Sequence, residues 1–201
     1  MKKAPIAFCL DLEGILLPEI WVQVARRFKV DALKRTTRDE PDYDKLMRYR
    51  IGVLRKEGIR LKEIQRVIGR MSPLPGAAAF LSKLKTKGPV VILSDTYNEF
   101  AWPIMGKLGH PALLCNRLEA DRRGFIRRYF LRQKAGKKNA VQAFRTLGFE
   151  VRAVGDSYND LGMLKAADRG IFFNPPAALR KDHPKFQVAR NYPELFRLLT
   201  A

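Results

Sequence analysis

Residues 6–21 read IAFCLDLEGILLPEIW. The apolar run Ile6 to Leu10 ends directly in Asp11 and Glu13, and Gly14 and Pro18 then punctuate the chain. A short apolar run bounded by turn residues predicts a buried strand. Taken alone, the two acids mark no more than a polar turn. The pattern recurs further along. PVVILSD, residues 89–95, delivers an apolar strand into Ser94, and FEVRAVGD, residues 149–156, delivers one into Asp156. Helix-period segments fall between and after them, at 77–88, 97–109 with a bend at Pro103, 137–147 and 158–168. Short strands are predicted at 111–115 and 170–174, a hairpin over 117–132 turning near Arg123-Gly124, and closing helices at 176–182 and 193–200. Strands alternating with helices predict an α/β fold, a doubly wound parallel sheet. Ligands in that architecture sit beyond the carboxyl ends of the strands, where the polar residues are.

One stretch breaks the alternation. Roughly sixty residues separate Leu16 from Pro75, too many for a structureless loop. Pro18 suits the first turn of a helix over 18–28. Leu46, Met47, Tyr49, Val53 and Leu54 recur on a helical period over 42–58, and Leu61, Ile64, Val67, Ile68 and Met71 form one stripe over 61–71. The expected organisation is therefore an α/β core domain from 1–15 and 76–201, with a small helical cap domain, 16–75, inserted after the first strand.

Bulk composition narrows the class. The chain has 201 residues, 46% of them hydrophobic, which suits a globular protein with one sizeable core and excludes a disordered tail. No apolar stretch is long enough to span a bilayer, and the apolar run behind Lys2-Lys3 is too brief for a signal peptide, so a cytoplasmic location with no membrane partner is expected. Cys9 and Cys115 lie in apolar, strand-like runs and read as small hydrophobes; no Cys/His metal spacing exists. His110 and His183 each precede a proline and read as surface residues. The formal charge of +19 suits polyanionic partners, but the cations occur mostly in pairs along the whole chain and form no basic tail. No specific nucleic-acid partner is expected. Nothing in the sequence fixes an oligomeric state, a homodimer included.

The sheet would gather its polar strand ends: Asp11 and Glu13, Ser94, and Asp156 followed by Asn159 and Asp160. Lys134 precedes the helix that feeds the strand ending at Asp156. Carboxylates at such density repel one another unless a hard cation neutralises them, and an all-oxygen donor set points to Mg²⁺. A hydroxyl and a lysine suit phosphate oxygens. Phosphoryl transfer, where positioning and electrostatics supply most of the rate, is the chemistry such a set predicts.

Four motifs in order, DLEGI, ILSDT, the lysine of RQKAGKK, and GDSYND, resemble those of the haloacid dehalogenase superfamily of phosphatases. Within it the chain is similar to the phosphoserine phosphatase family. It resembles most the ThrH type, described as both phosphoserine phosphatase and phosphoserine:homoserine phosphotransferase. The resemblance implies an HAD-like core and a catalytic set of Asp11, Glu13, Ser94 and Lys134. Asp11 would be the nucleophile that forms an aspartyl-phosphate, Glu13 the general acid/base, and Ser94 and Lys134 the phosphate holders. It implies Mg²⁺ held by Asp11, the Glu13 backbone carbonyl and Asp156, with Asp160 supporting directly or through water. Asn159 would contact phosphate, Glu19 would read the amino group of O-phospho-L-serine, and Arg50 its carboxylate. Asp95 and Thr96 stand where many relatives are glycine-rich, which leaves the phosphate contacts open. Homoserine is the second acceptor implied. Another small phosphomonoester, or a nucleotide or nucleic-acid terminal phosphate, is the alternative substrate.

Overall fold

The computed structural model describes residues 4–36, 39–40 and 42–201. Seven strands form one sheet: β1 (Ile6–Leu10), β2 (Val90–Tyr97), β3 (Ala112–Ala120), β4 (Ile126–Phe130), β5 (Glu150–Gly155), β6 (Arg169–Phe173) and β7 (Gln187–Ala189). Their order is β4-β3-β2-β1-β5-β6-β7. Every neighbouring pair is parallel except β3 and β4, which form the antiparallel hairpin expected from the sequence. At the centre Cys9 lies opposite Val91 on one side and Ala153 on the other.

Side chains alternate across this sheet, and both faces are covered, which is why its central strands are apolar throughout. Cys9, Val91, Leu93, Ala153 and Phe172 pack on one face against α6 (Gly136–Thr146), α7 (Leu161–Ala166) and α8 (Ala177–Asp182). Phe8, Leu10, Ile92, Val154, Ile171 and Phe173 pack on the other against α4 (Ala77–Lys85), α5 (Asn98–Met105) and α9 (Tyr192–Thr200). The one buried cation of β5, Arg152, closes the fold at its C-terminus. Its guanidinium pairs with Glu150 at 2.7 Å and donates to the Leu199 carbonyl at 2.6 Å, satisfying an orphan acceptor in the last turn of α9.

Between β1 and α4 the chain is helical, as the spacing predicts: α1 (Ile20–Phe28), α2 (Tyr43–Lys56) and α3 (Leu61–Arg70), with a 3₁₀ turn at Asp31–Lys34. Asp42 caps α2 by accepting from the backbone N–H of Asp44 and Lys45. The buried stripes of these helices join the same apolar cluster as α4, α5 and α9. The segment also clasps the β3–β4 hairpin. Tyr129 donates to Asp44 at 2.5 Å, Arg55 pairs with Asp121 at 3.3 Å, and the Leu61 N–H reaches the Gly124 carbonyl at 2.9 Å.

Three features depart from expectation. β2 continues through Ser94, Asp95 and Thr96 to Tyr97, with a register shift between Leu93 and Tyr97, so the polar triplet belongs to the strand rather than to the turn after it. β3 runs on to Ala120 as the first arm of the hairpin. β7, only three residues long, is too short for alternation to register in the sequence. Both cysteines are free and buried, as expected of small hydrophobes.

Candidate active site

The strand ends of β1, β2 and β5 and the first turn of α6 converge on one cleft of about 410 Å³. Asp11, Glu13, Glu19, Arg50, Ser94, Asp95, Thr96, Lys137, Asp156 and Asn159 all line it. Asp11 continues β1 with its N–H on the Val154 carbonyl at 3.0 Å. The chain then does not stay extended. Gly14 adopts φ 77°, its N–H closes onto the Leu17 carbonyl at 2.8 Å, and residues 12–17 form a tight turn. Glycine is required at position 14 both for this left-handed backbone and for space, since a Cβ there would run into the Asp156 carboxylate. The turn returns Glu13 to the cleft, where its Oε2 accepts from the Ile20 N–H at 2.8 Å. A catalytic candidate is thereby tied to the first turn of the helical insertion.

The lysine is the main correction. Lys134, expected at the site, is exposed on the loop before α6 and does not line the acid-bearing cleft. Lys137 takes that place: its Nζ lies 2.8 Å from Asp11 Oδ1, 2.8 Å from Asp160 Oδ1 and 3.4 Å from Asp95 Oδ2. Ala135 enters α6 with a left-handed φ of 52°, so the helix begins at Gly136 and presents the side chain one residue later. A signal was present. Positions 137, 140, 141 and 144 share one face of a helix, and Lys137 is buried there with Ala140 and Val141.

Asp160 is fully buried, and both its oxygens are committed. Oδ1 takes Lys137, while Oδ2 accepts from the Asp156 N–H, the Ser157 N–H and the Ser157 hydroxyl, each at 3.0 Å. It therefore fixes the loop that carries Asp156. Gly155 packs directly under it. Gly155→Ala would drive a Cβ into Asp160, so it is expected to lower the thermal midpoint by an amount equivalent to about 2 kcal/mol and to cut turnover with it.

Carboxylate oxygens of Asp11, Asp156 and Asp160 gather within 4.8 Å of one another. Burial and the charge of Asp160 push the Asp11 carboxyl well above the usual range, against the pull of Lys137. Burial, then Asp160 and Glu19, push Asp156 up to about 7. Burial would draw Lys137 down, but Asp11, Asp160 and Asp95 hold it well above the ordinary lysine value. One ammonium among these acids leaves surplus negative charge, and Asp11 and Asp156 are the two whose oxygens are not all spent on protein donors. A hard divalent cation fits that donor set. Burial and the neighbouring charge of Glu19 push Glu13 up to about 8, although the Ile20 N–H opposes them.

Within β2 the Ser94 hydroxyl accepts from the Thr96 N–H at 3.2 Å, which leaves its own proton to donate into the cleft. Arg50 is the buried cation on the insertion side. Nη2 donates to the Arg35 carbonyl at 2.7 Å and the guanidinium lies 4.5 Å over the Trp21 ring, while Nε has no hydrogen-bond partner among the described residues. That Nε is itself buried, and a buried donor left open is costly. Trp21, Thr36, Tyr43 and Ser157 also line the cleft and were not singled out by sequence. Tyr43 bonds Tyr97 through their hydroxyls at 2.7 Å, and burial pushes Tyr43 up to about 12.

Residues 7–165 match the family described as haloacid dehalogenase-like hydrolase. The chain is 48% identical over 189 residues to phosphoserine phosphatase ThrH of Pseudomonas aeruginosa, covering 94% of this chain and 92% of that one. It is 46% identical over 187 residues to phosphoserine phosphatase of Pseudomonas syringae pv. tomato, covering 93% and 79%. Among solved structures, a phospho-aspartyl intermediate analogue of phosphoserine phosphatase superposes with a TM-score of 0.79 over 97% of this chain and 99% of that chain, at 20% identity. At that identity the likeness is one of fold.

Proposed function

Given that the chain belongs to the haloacid dehalogenase-like hydrolase family, we propose that its acid-lined cleft hydrolyses O-phospho-L-serine to L-serine and phosphate through an aspartyl-phosphate on Asp11. The observation that carries this is the buried Asp11–Lys137–Asp160 cluster at the end of β1, with Ser94 and Arg50 on the walls of the same cleft. An Asp11 oxygen attacks phosphorus as the bond from phosphorus to the serine oxygen breaks, splitting one hard displacement into two. Lys137 and the Ser94 hydroxyl face the phosphoryl oxygens and oppose the charge that builds there. Glu13, held up to about 8, carries its proton at neutral pH and gives it to the departing serine oxygen. It then takes one from the water that attacks the aspartyl-phosphate, which frees Asp11 and releases phosphate.

Asp11, Asp156 and the Glu13 carbonyl would hold a Mg²⁺ ion, which supplies positive charge opposite the phosphate and the surplus acids. Asp160, its oxygens already committed, acts as a positioning residue for Lys137 and the Asp156 loop. The insertion serves as the cap that selects substrate. Arg50 takes the carboxylate of phosphoserine, held flat by Trp21 and anchored through Nη2. Glu19 takes the amino group, and Asn159 a phosphate oxygen. The phosphoryl group on Asp11 can pass to the hydroxyl oxygen of homoserine in place of water, with Glu13 taking the hydroxyl proton and Asp11 released.

The test is a panel of phosphomonoesters with purified protein and Mg²⁺, with and without homoserine, following both phosphate and phosphohomoserine. L-phosphoserine is expected to lead the panel. Preference for an ester without a carboxylate would overturn the substrate assignment. Arg50→Met is expected to raise KM for L-phosphoserine at least about tenfold, and to change p-nitrophenyl phosphate, which has no carboxylate to grip, by less than about threefold.

A further inference from the structure

A second chamber of about 620 Å³ adjoins the catalytic cleft and shares Tyr43, Ser94, Asp95, Lys137 and Asn159 with it. The two differ in sign. The catalytic cleft is lined by five carboxylates and two cations, whereas its neighbour is lined by four cations, Arg132, Lys134, Lys137 and Lys138, and one carboxylate, Asp95. Among the described residues, Arg132, Lys134 and Lys138 have no carboxylate within salt-bridge distance. Glu19 and Arg50 line only the catalytic cleft, and Tyr43 is the one insertion residue that also lines the chamber.

We propose that this chamber is a binding site for free inorganic phosphate, a station next to the catalytic cleft that takes the released anion while the organic product stays on the insertion side. Three cations with no carboxylate partner among the described residues, on a concave surface, favour a small multivalent oxyanion. The sign reversal across Asp95 and Lys137 draws a dianion out of the acidic cleft. Asp95 bridges the two compartments, with its side chain half exposed and its carboxylate 3.4 Å from Lys137. Lys134, the lysine that sequence reasoning places on the phosphate, belongs on this account to the second phosphate site. The inference rests on the phosphatase reading of the cleft.

Calorimetric titration of the Mg²⁺-supplied protein with sodium phosphate tests it without requiring turnover. Wild type is expected to show two binding events, and R132Q/K138Q to weaken one of them at least about tenfold. R66Q/R70Q removes the same charge from the exposed face of α3, outside the lining of both compartments, and is expected to leave both events in place. A single event that R132Q/K138Q does not alter would overturn the proposal, as would equal weakening in both double variants. Two events in a protein inert toward phosphoserine would instead uphold this site and sink the phosphoserine reading. Because the substituted residues are exposed, both variants are expected to fold, and a melting curve checks it.

Discussion

Asp11→Asn is expected to lower kcat at least about a thousandfold while leaving the fold intact. The amide matches the carboxylate in shape and can still accept from Lys137, now 2.8 Å from Oδ1. It cannot attack phosphorus to give a stable acyl-phosphate. Stability is expected to hold or to rise in the absence of metal. Burial and Asp160 already push the Asp11 carboxyl upward, so the charged form is disfavoured in the folded cluster. Removing one negative charge relieves that repulsion. A steady-state rate and a thermal melt on the same sample separate the two effects. Retained turnover within tenfold of wild type would mean that another group attacks phosphorus.

Lys137→Met is expected to cost both activity and stability. The ammonium is buried between Asp11 and Asp160, and its loss leaves two carboxylates facing each other without a counter-charge. Breaking a buried pair by deleting one partner costs about 3–5 kcal/mol. Loss of a cation that opposes transition-state charge costs roughly a hundredfold or more in kcat. Lys134→Met removes an exposed lysine outside the acid-bearing cleft and is expected to cost less than about tenfold. Comparison of kcat for the two variants identifies the lysine that serves Asp11. A larger loss in Lys134→Met would restore the assignment made from the motif alone.

These two lysines illustrate what one-dimensional reading can and cannot deliver. The strands are legible because β1, β2 and β5 are short apolar runs, and their polar ends mark the catalytic edge of the sheet. Asp11, Ser94 and Asp156 thus reach the cleft from pattern alone. The helical insertion is legible from its stripes, since Ile64 and Ile68 repeat on a buried face. Lys137 is harder, because its position depends on where α6 begins, and a left-handed Ala135 sets that start. Helix boundaries are the least determined feature of a sequence pattern. Glu13 reaches the cleft because the turn at Gly14 brings it back and the α1 N-terminus holds it. Trp21 and Tyr43 escaped notice because an aromatic on a helical stripe reads as core until tertiary contacts place it beside Arg50 or Asp95.

Glycines at the site carry information of the same kind. Gly14 and Gly155 lie against Asp156 and Asp160, so backbone approach sets the spacing of the acids. The cluster is compressed by design of the chain path, and its surplus charge is the physical motive for a divalent ion.

Brief incubation of the protein with L-phosphoserine carrying a radiolabelled phosphoryl group, followed by acid quench and peptide mapping, tests most directly whether Asp11 carries the phosphoryl group between substrate and water. The predicted result is label on the peptide that contains Asp11, discharged by hydroxylamine as an acyl-phosphate and absent in Asp11→Asn. Release of phosphate with no label on that peptide, or label on Ser94 that resists hydroxylamine, would contradict it.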